Sequence, residues 1–232
     1  MDDPRTAQLV STVAHLRQRI AELEASAESD IRQRARLSAL AAAVGLSLAN
    51  SDSLAGALQQ CAEALVTHMG AALARIWTLN EHDEVLELQA SAGLYTRANG
   101  PQGKVPIGQS VIGRIAQFRT PYLTNAAVGD GQVSDQDWAH REGIVAFSGH
   151  PLILDGRVVG VMALFARHAL SEATVSAMAS VADRVAVGIE CHRSAAALRT
   201  AEERMRFALE SAAVGIWDMD YTTGVLRWSE IL

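Results

Sequence analysis

Residues Phe147–Phe165 read F-S-G-H-P-L-I-L-D-G-R-V-V-G-V-M-A-L-F. Two apolar runs rich in β-branched residues flank Asp155-Gly156. That pair suits a two-residue hairpin turn, because both central positions of such a turn need positive φ. The stretch therefore predicts an antiparallel strand pair. A serine-led helix start follows at Ser171-Glu172-Ala173-Thr174, opening a long Ala/Val-rich helix toward the C-terminus.

Working upstream, residues 74–79 and 85–91 alternate at period two around a turn over 80–84, which predicts a second hairpin. Ser53 caps an amphipathic helix carrying Leu54, Leu58, Ala62, Leu65 and Val66. Residues 93–104, with Asn99-Gly100-Pro101, form a loop by composition. A short helix is expected over 110–117, a short strand over 121–125, a loop over 126–135 and a turn or two of helix over 135–142. Strands, helices and hairpins alternating in this way predict an α+β domain around one antiparallel sheet with flanking helices.

Both ends carry helical seams. From Leu9 the apolar residues step by four and three through Val13, Leu16, Ile20, Leu23 and Ala27. The count passes Asp30 and Arg34, then resumes at Leu37, Ala41, Val44 and Leu48. A spacing of about 3.5 residues keeps one stripe facing a partner helix, so this segment is expected to be a coiled coil. A second seam runs through Cys191, Ala195, Leu198, Glu202, Met205, Leu209 and Ala212, with Glu202 as its one charged member. Unbroken helix from Ser171 to Ser211 would be roughly 60 Å long, which suits a connector rod. The division expected is 1–36 N-terminal helix, 37–189 globular domain, 190–211 helical linker and 212–232 the opening of a further domain.

Composition narrows the function classes. Apolar residues make up 49% and charged residues 20%, an ordinary globular balance. With 20 basic against 26 acidic residues the net charge is −6 and the basic residues do not cluster, so a nucleic-acid surface is not expected. No apolar run is long enough to span a bilayer, and Met1-Asp2-Asp3-Pro4-Arg5 lacks the features of a signal peptide, so a cytoplasmic location is expected. Cys61 and Cys191 fall in helix-like segments and do not make a disulfide framework. The seven histidines are scattered without ligand spacing, so no metal site is expected. Ser148-Gly149-His150 lacks the glycine pattern of a nucleophile elbow, and Gly129-Asp130-Gly131 lacks the lysine of a phosphate cradle. No catalytic constellation emerges.

The order of these segments, with Val105-Pro106-Ile107-Gly108-Gln109-Ser110 and Thr120-Pro121-Tyr122-Leu123-Thr124-Asn125 between the hairpins, resembles a GAF domain over about Leu37–Ile189. The resemblance implies roughly six antiparallel strands with a small-molecule cavity over one face, roofed by the loops at 93–104 and 126–142. Candidate pocket residues are Trp138, His140, His150, Tyr122 and Asn125, with Tyr95 and Phe118 as further aromatics. Alternation from Phe147 is expected to turn His150 toward the cavity. His140 lies roughly where haem-binding members place their proximal ligand, but Trp138-Ala139-His140-Arg141-Glu142 is polar and reads as surface. Bilin attachment and sulfoxide reduction need cavity or loop thiols, which neither Cys61 nor Cys191 supplies. The cyclic-nucleotide motif N-K-x-F-x-x-x-D-E is replaced by Ala166-Arg167-His168-Ala169-Leu170-Ser171-Glu172. No cofactor is expected, and the protein is expected to be colourless.

Residues 206–229, including Gly215-Ile216-Trp217-Asp218-Met219-Asp220 and Gly224-Val225-Leu226-Arg227-Trp228, resemble the opening helix and first two strands of a PAS domain, so the chain reads as part of a longer receptor. A GAF domain leading by helix into a PAS domain is similar to the input half of a sensor histidine kinase, working as a parallel homodimer on an unknown small ligand. The alternatives are a ligand-free dimerisation spacer and the input segment of a cyclic-dinucleotide cyclase or phosphodiesterase.

Overall fold

The computed structural model describes residues 4–95, 103–212 and 217–228. The elements in chain order are α1 (Pro4–Asn50), α2 (Leu54–Met69), β1 (Leu73–Asn80), β2 (Val85–Gly93), β3 (Lys104–Pro106), α3 (Ser110–Phe118), β4 (Tyr122–Thr124), α4 (Gln136–Arg141), β5 (Ala146–Leu154), β6 (Arg157–Ala166), α5 (Glu172–Ala212), β7 (Trp217–Asp220) and β8 (Val225–Trp228). Two units divide the chain, one ending at Val187 and the other beginning at Gly188.

The first unit is built on a six-stranded antiparallel sheet in the order β3-β2-β1-β6-β5-β4. Its centre is the hairpin expected from Asp155-Gly156, where φ is 50° and 75° and Leu154 pairs with Arg157. The hairpin at residues 80–85 is also present, with Asn80 opposite Val85. Ser53 caps α2 by accepting from the Gly56 N–H, and Gly70 closes the helix in the left-handed region. β3 was not expected as a strand. It lies at the sheet edge, where the N–H missing from Pro106 costs no ladder bond.

Side-chain alternation gives the sheet two different faces. Ile76, Met162, Leu164 and Leu152 point to the face covered by α2, on which the second half of α1 packs through Leu40 and Val44. The part of α5 up to Val187 buries Met178, Val181, Ala182 and Val185. Gln33 of α1 donates to the Ser171 hydroxyl at 2.8 Å, and Arg184 of α5 donates to the Ala41 carbonyl at 3.2 Å, so α1 and α5 run in the same direction here. The boundary expected near residue 36 falls inside one continuous helix. Leu16, Ile20, Leu23 and Ile31 of that helix are exposed; the side chains of Leu9 and Val13 lie outside the described residues.

The second unit holds the remainder of α5 and a separate β7–β8 hairpin. Seam members Cys191, Leu198, Glu202 and Met205 are exposed on α5. The hairpin turn is held by the Asp220 carboxylate, which accepts from the Thr222 and Thr223 N–H groups, and by Gly224 at positive φ. Residues 213–216 and 229–232, including Ile216 and Ser229, lie outside the described residues. Among the described residues no helix is long and apolar enough to cross a membrane.

Candidate functional site

The second sheet face carries Leu73, Trp77, Phe147, Val161, Ala163 and Phe165 and lies beneath α3, α4 and their loops. Partners on neighbouring strands share a face. The register therefore lines up Tyr122, Gly149, Ala163, Arg75 and Ser91 in one row across five strands. On one side of this row stand Phe147, Phe165 and Leu73, and on the other Val161, Trp77 and Leu88. The result is a trough of short side chains between walls of large ones, with a phenol at one end and a guanidinium at the other. Ile115 of α3 covers the Gly149 end, where any Cβ would come within 2.4 Å of its Cδ1. Gly113 allows α3 to sit this close, since a Cβ there would meet the Pro106 carbonyl oxygen at 2.3 Å.

Aromatic rings join the walls to the roof. Phe147 and Phe165 lie 4.9 Å apart between centroids, Trp138 of α4 meets Phe165 edge-on at 5.1 Å, and Tyr122 lies 6.2 Å from Phe147. Such offset and edge contacts suit the ring quadrupoles. Trp138 and Tyr122 therefore join the aromatic cluster on this face, while Phe118 is 63% exposed at the end of α3. Trp77, Phe147 and Phe165 complete the set. They could not be distinguished from ordinary core residues without the register.

Polar groups are set into this apolar surface. The Tyr122 hydroxyl donates to the Asp130 carboxylate at 2.7 Å, and burial together with that carboxylate raises the phenol above its ordinary pKa. Desolvation opposes ionisation of Asp130, but the Gln132 N–H and the Tyr122 hydroxyl outweigh it and hold the carboxyl below its usual range. Arg114 of α3 acts electrostatically on the same phenol, and its Nε is buried without a hydrogen-bond partner. At the far end, burial lowers the Arg75 pKa, and its Nε donates to the Ser91 hydroxyl at 3.3 Å. That hydroxyl donates onward to the Tyr95 carbonyl. The Tyr95 hydroxyl reaches Glu142 at the end of α4 at 3.3 Å, and Arg167 donates to the Glu142 carbonyl at 2.8 Å, which ties the roof to the segments that leave β2 and β6.

Gln136 organises the loop between β4 and α4. Its amide nitrogen donates to the Ala127, Asp130 and Val133 carbonyls, and its oxygen accepts from the Gly129 N–H. No motif marks this glutamine in sequence, because the groups it satisfies become neighbours only when the loop closes.

The other proposed pocket residues have different surroundings. Asn125 grips the backbone of Leu170, donating to its carbonyl at 3.2 Å and accepting from its N–H at 2.8 Å, and so clamps β4 to the start of α5. His140 is exposed and outside the apolar cluster, so it does not meet haem's need for an imidazole within an apolar pocket. His150 lies on the opposite sheet face from Phe147, because in a strand residues 147 and 149 share one side and 148 and 150 the other. It is buried with the Ser148 hydroxyl 3.5 Å from Nδ1, and Asp183 of α5 acts on it.

Burial lowers the His150 pKa below 6.5, partly opposed by Asp183. A neutral imidazole is therefore favoured in the fold, and the unfolded chain binds more protons. Stability is expected to fall as pH drops below the unfolded value and through the depressed folded one. Comparing urea midpoints at pH 8 and pH 5, His150→Gln should lose less than the wild type. Equal losses would remove His150 as the source.

Cys61 is buried on α2, where desolvation pushes its thiol up to about 12 and leaves it a poor nucleophile, and Cys191 is exposed on α5. Neither belongs to the trough. Among the described residues no group of three His, Cys, Asp or Glu side chains has the arrangement of a metal site.

Compared with curated protein sequences, the chain finds no match. Solved structures share its fold. A GAF domain of A. aeolicus in an inactive state aligns with TM-score 0.59 at 14% identity, over 68% of this chain and 98% of that one. The GAF domain of a phosphoenolpyruvate-protein phosphotransferase from Coxiella burnetii aligns with TM-score 0.61 at 18% identity, over 72% and 98%. The free methionine-R-sulfoxide reductase of Neisseria meningitidis, solved with its substrate, gives 0.57 at 17% identity, over 68% and 89%. The GAF domain family model matches residues 51–190, more than half of the chain and all six strands of the main sheet. The chain belongs to the GAF domain family, a group of small-molecule-binding sensory modules.

Proposed function

We propose that this chain is the input segment of a dimeric sensor, in which a small ligand with an apolar body and an anionic or polar group binds along the trough. The supporting observation is the row Tyr122–Gly149–Ala163–Arg75–Ser91. Gly149 and Ala163 in its middle are small, so a ligand that displaces the covering Ile115 would meet the aromatic walls, and the Arg75 guanidinium would give directed donors to its carboxylate or similar group. The roof is tied through Glu142 to the segments that leave β2 and β6, and Asn125 clamps β4 to the start of α5. A ligand that shifts the roof therefore acts on the root of the exit helix. α5 carries the change onward, and the helical seams on α1 and α5 make the working unit a parallel homodimer. In this reading the β7–β8 hairpin is the start of a PAS domain, and the output is a histidine kinase.

The test is the melting temperature of the chain against a panel of small carboxylates and nucleotides. A ligand at roughly a hundredfold excess over its Kd stabilises the folded state by about 2.7 kcal/mol. An upward shift is expected that is lost in Arg75→Gln and reduced in Tyr122→Phe. A panel without any shift, on a chain that forms dimers, would favour the dimerisation spacer.

A further inference from the structure

A second concave site lies away from the trough, on the other side of the sheet. It is a cleft of about 420 Å³ between α1, the end of α2 and the connection from β6 into α5. Four basic side chains from these three segments line it: Arg32 and Arg36 from α1, His68 from α2, and His168 from the connection. No Asp or Glu is among the lining residues, although the chain as a whole carries a net charge of −6. Glu28 stands 3.7 Å from Arg32 on the same exposed helix surface, and a pair so solvated contributes little. Glu172 lies in the first turn of α5 but does not line the cleft.

Neutral donors add to the set. Ser29, Ser171 and Thr174 line the cleft; Gln33 donates to the Ser171 hydroxyl at 2.8 Å, and the Ser171 and Thr174 hydroxyls share a 3.0 Å hydrogen bond that leaves one proton of the pair to donate outward. His168 rests over the end of α2, its Cε1 3.5 Å from where a Cβ on Gly70 would stand, an ordinary packing distance. The donors thus approach from three sides instead of one plane. A carboxylate offers two oxygens in a plane, whereas a phosphoryl group offers several oxygens in a tetrahedron and pairs well with the arginine fork.

We propose that this cleft binds a small phosphorylated ligand, held by Arg32 and Arg36 with His68, His168 and the hydroxyls completing the shell. The site is independent of the trough. Because its walls come from both the incoming helix and the root of the exit helix, occupancy would fasten α1 to α5 and give the module a second input.

The experiment is calorimetric titration of the full chain with sodium pyrophosphate, with sodium chloride at matched ionic strength as the control. Arg32→Gln, Arg36→Gln and the remote Arg141→Gln are compared with wild type, each checked for wild-type circular dichroism. Pyrophosphate should bind the wild type and Arg141→Gln alike, and each cleft substitution should weaken binding about tenfold or more. A titration no different from chloride would overturn the proposal, as would equal weakening in all three variants, the mark of diffuse charge attraction. A tricarboxylate such as citrate binding as tightly as pyrophosphate would overturn the phosphoryl assignment. Failure here leaves the trough reading untouched, since Arg75 and Tyr122 take no part.

Discussion

Replacing Leu16 and Leu23 together with Glu is expected to convert the chain from dimer to monomer. Leu16 and Leu23 are 54% and 62% exposed, and Ile20 and Ile31 on the same helix are exposed as well. Further along α1, Leu40 and Val44 are fully buried against the domain. The helix thus changes from a stretch with an intramolecular partner to one without. Its other surfaces are dressed with short-range polar pairs such as Arg19–Glu22 at 3.1 Å, the ordinary clothing of a solvated face. A second copy covering the stripe would bury four of these leucine side chains per dimer. At about 1.5–3 kcal/mol for each fully buried leucine, discounted for partial burial, removing them and adding like charges should weaken association on the order of 100-fold or more. Light scattering at tens of micromolar separates the outcomes. A monomeric wild type would end the dimer reading, and a dimeric double variant would move the interface elsewhere.

Phe147→Ala should bring the largest loss of stability. Phe147 is fully buried, in ring contact with Tyr122 and Phe165, and packs with Ile115 against Gly149. Truncating a buried phenylalanine costs about 3–5 kcal/mol. At roughly 2–4 °C per kcal/mol for a domain of this size, the melting temperature should fall by about 6–20 °C. Phe118→Ala is the matched comparison: its ring is 63% exposed, and the change should stay within about 0.5 kcal/mol. Similar losses in the two variants would mean that the aromatic cluster is not the centre of this face.

What could be read from the residues alone was local. Asp155-Gly156 specified the central hairpin because the conformation it needs is costly for most other pairs, and Ser53 marked the start of α2 because its hydroxyl satisfies a helix N–H three residues on. Period-two alternation told which residues of β5 share a side. It could not tell which side meets the roof and which the helices, and that decided the fate of His150. Asn125 reads as a candidate pocket residue in sequence, and its clamp on Leu170, 45 positions away, is visible only in the fold. Arg75 had no visible role until register set it in a row with Tyr122, Gly149 and Ala163. The basic cleft likewise needs Gln33 and Ser171, 138 positions apart, to meet. Turn chemistry, capping and periodicity act over a few residues and are written in the chain. The trough and the cleft are contacts between distant segments, and only the packed tertiary structure brings their charges and rings together.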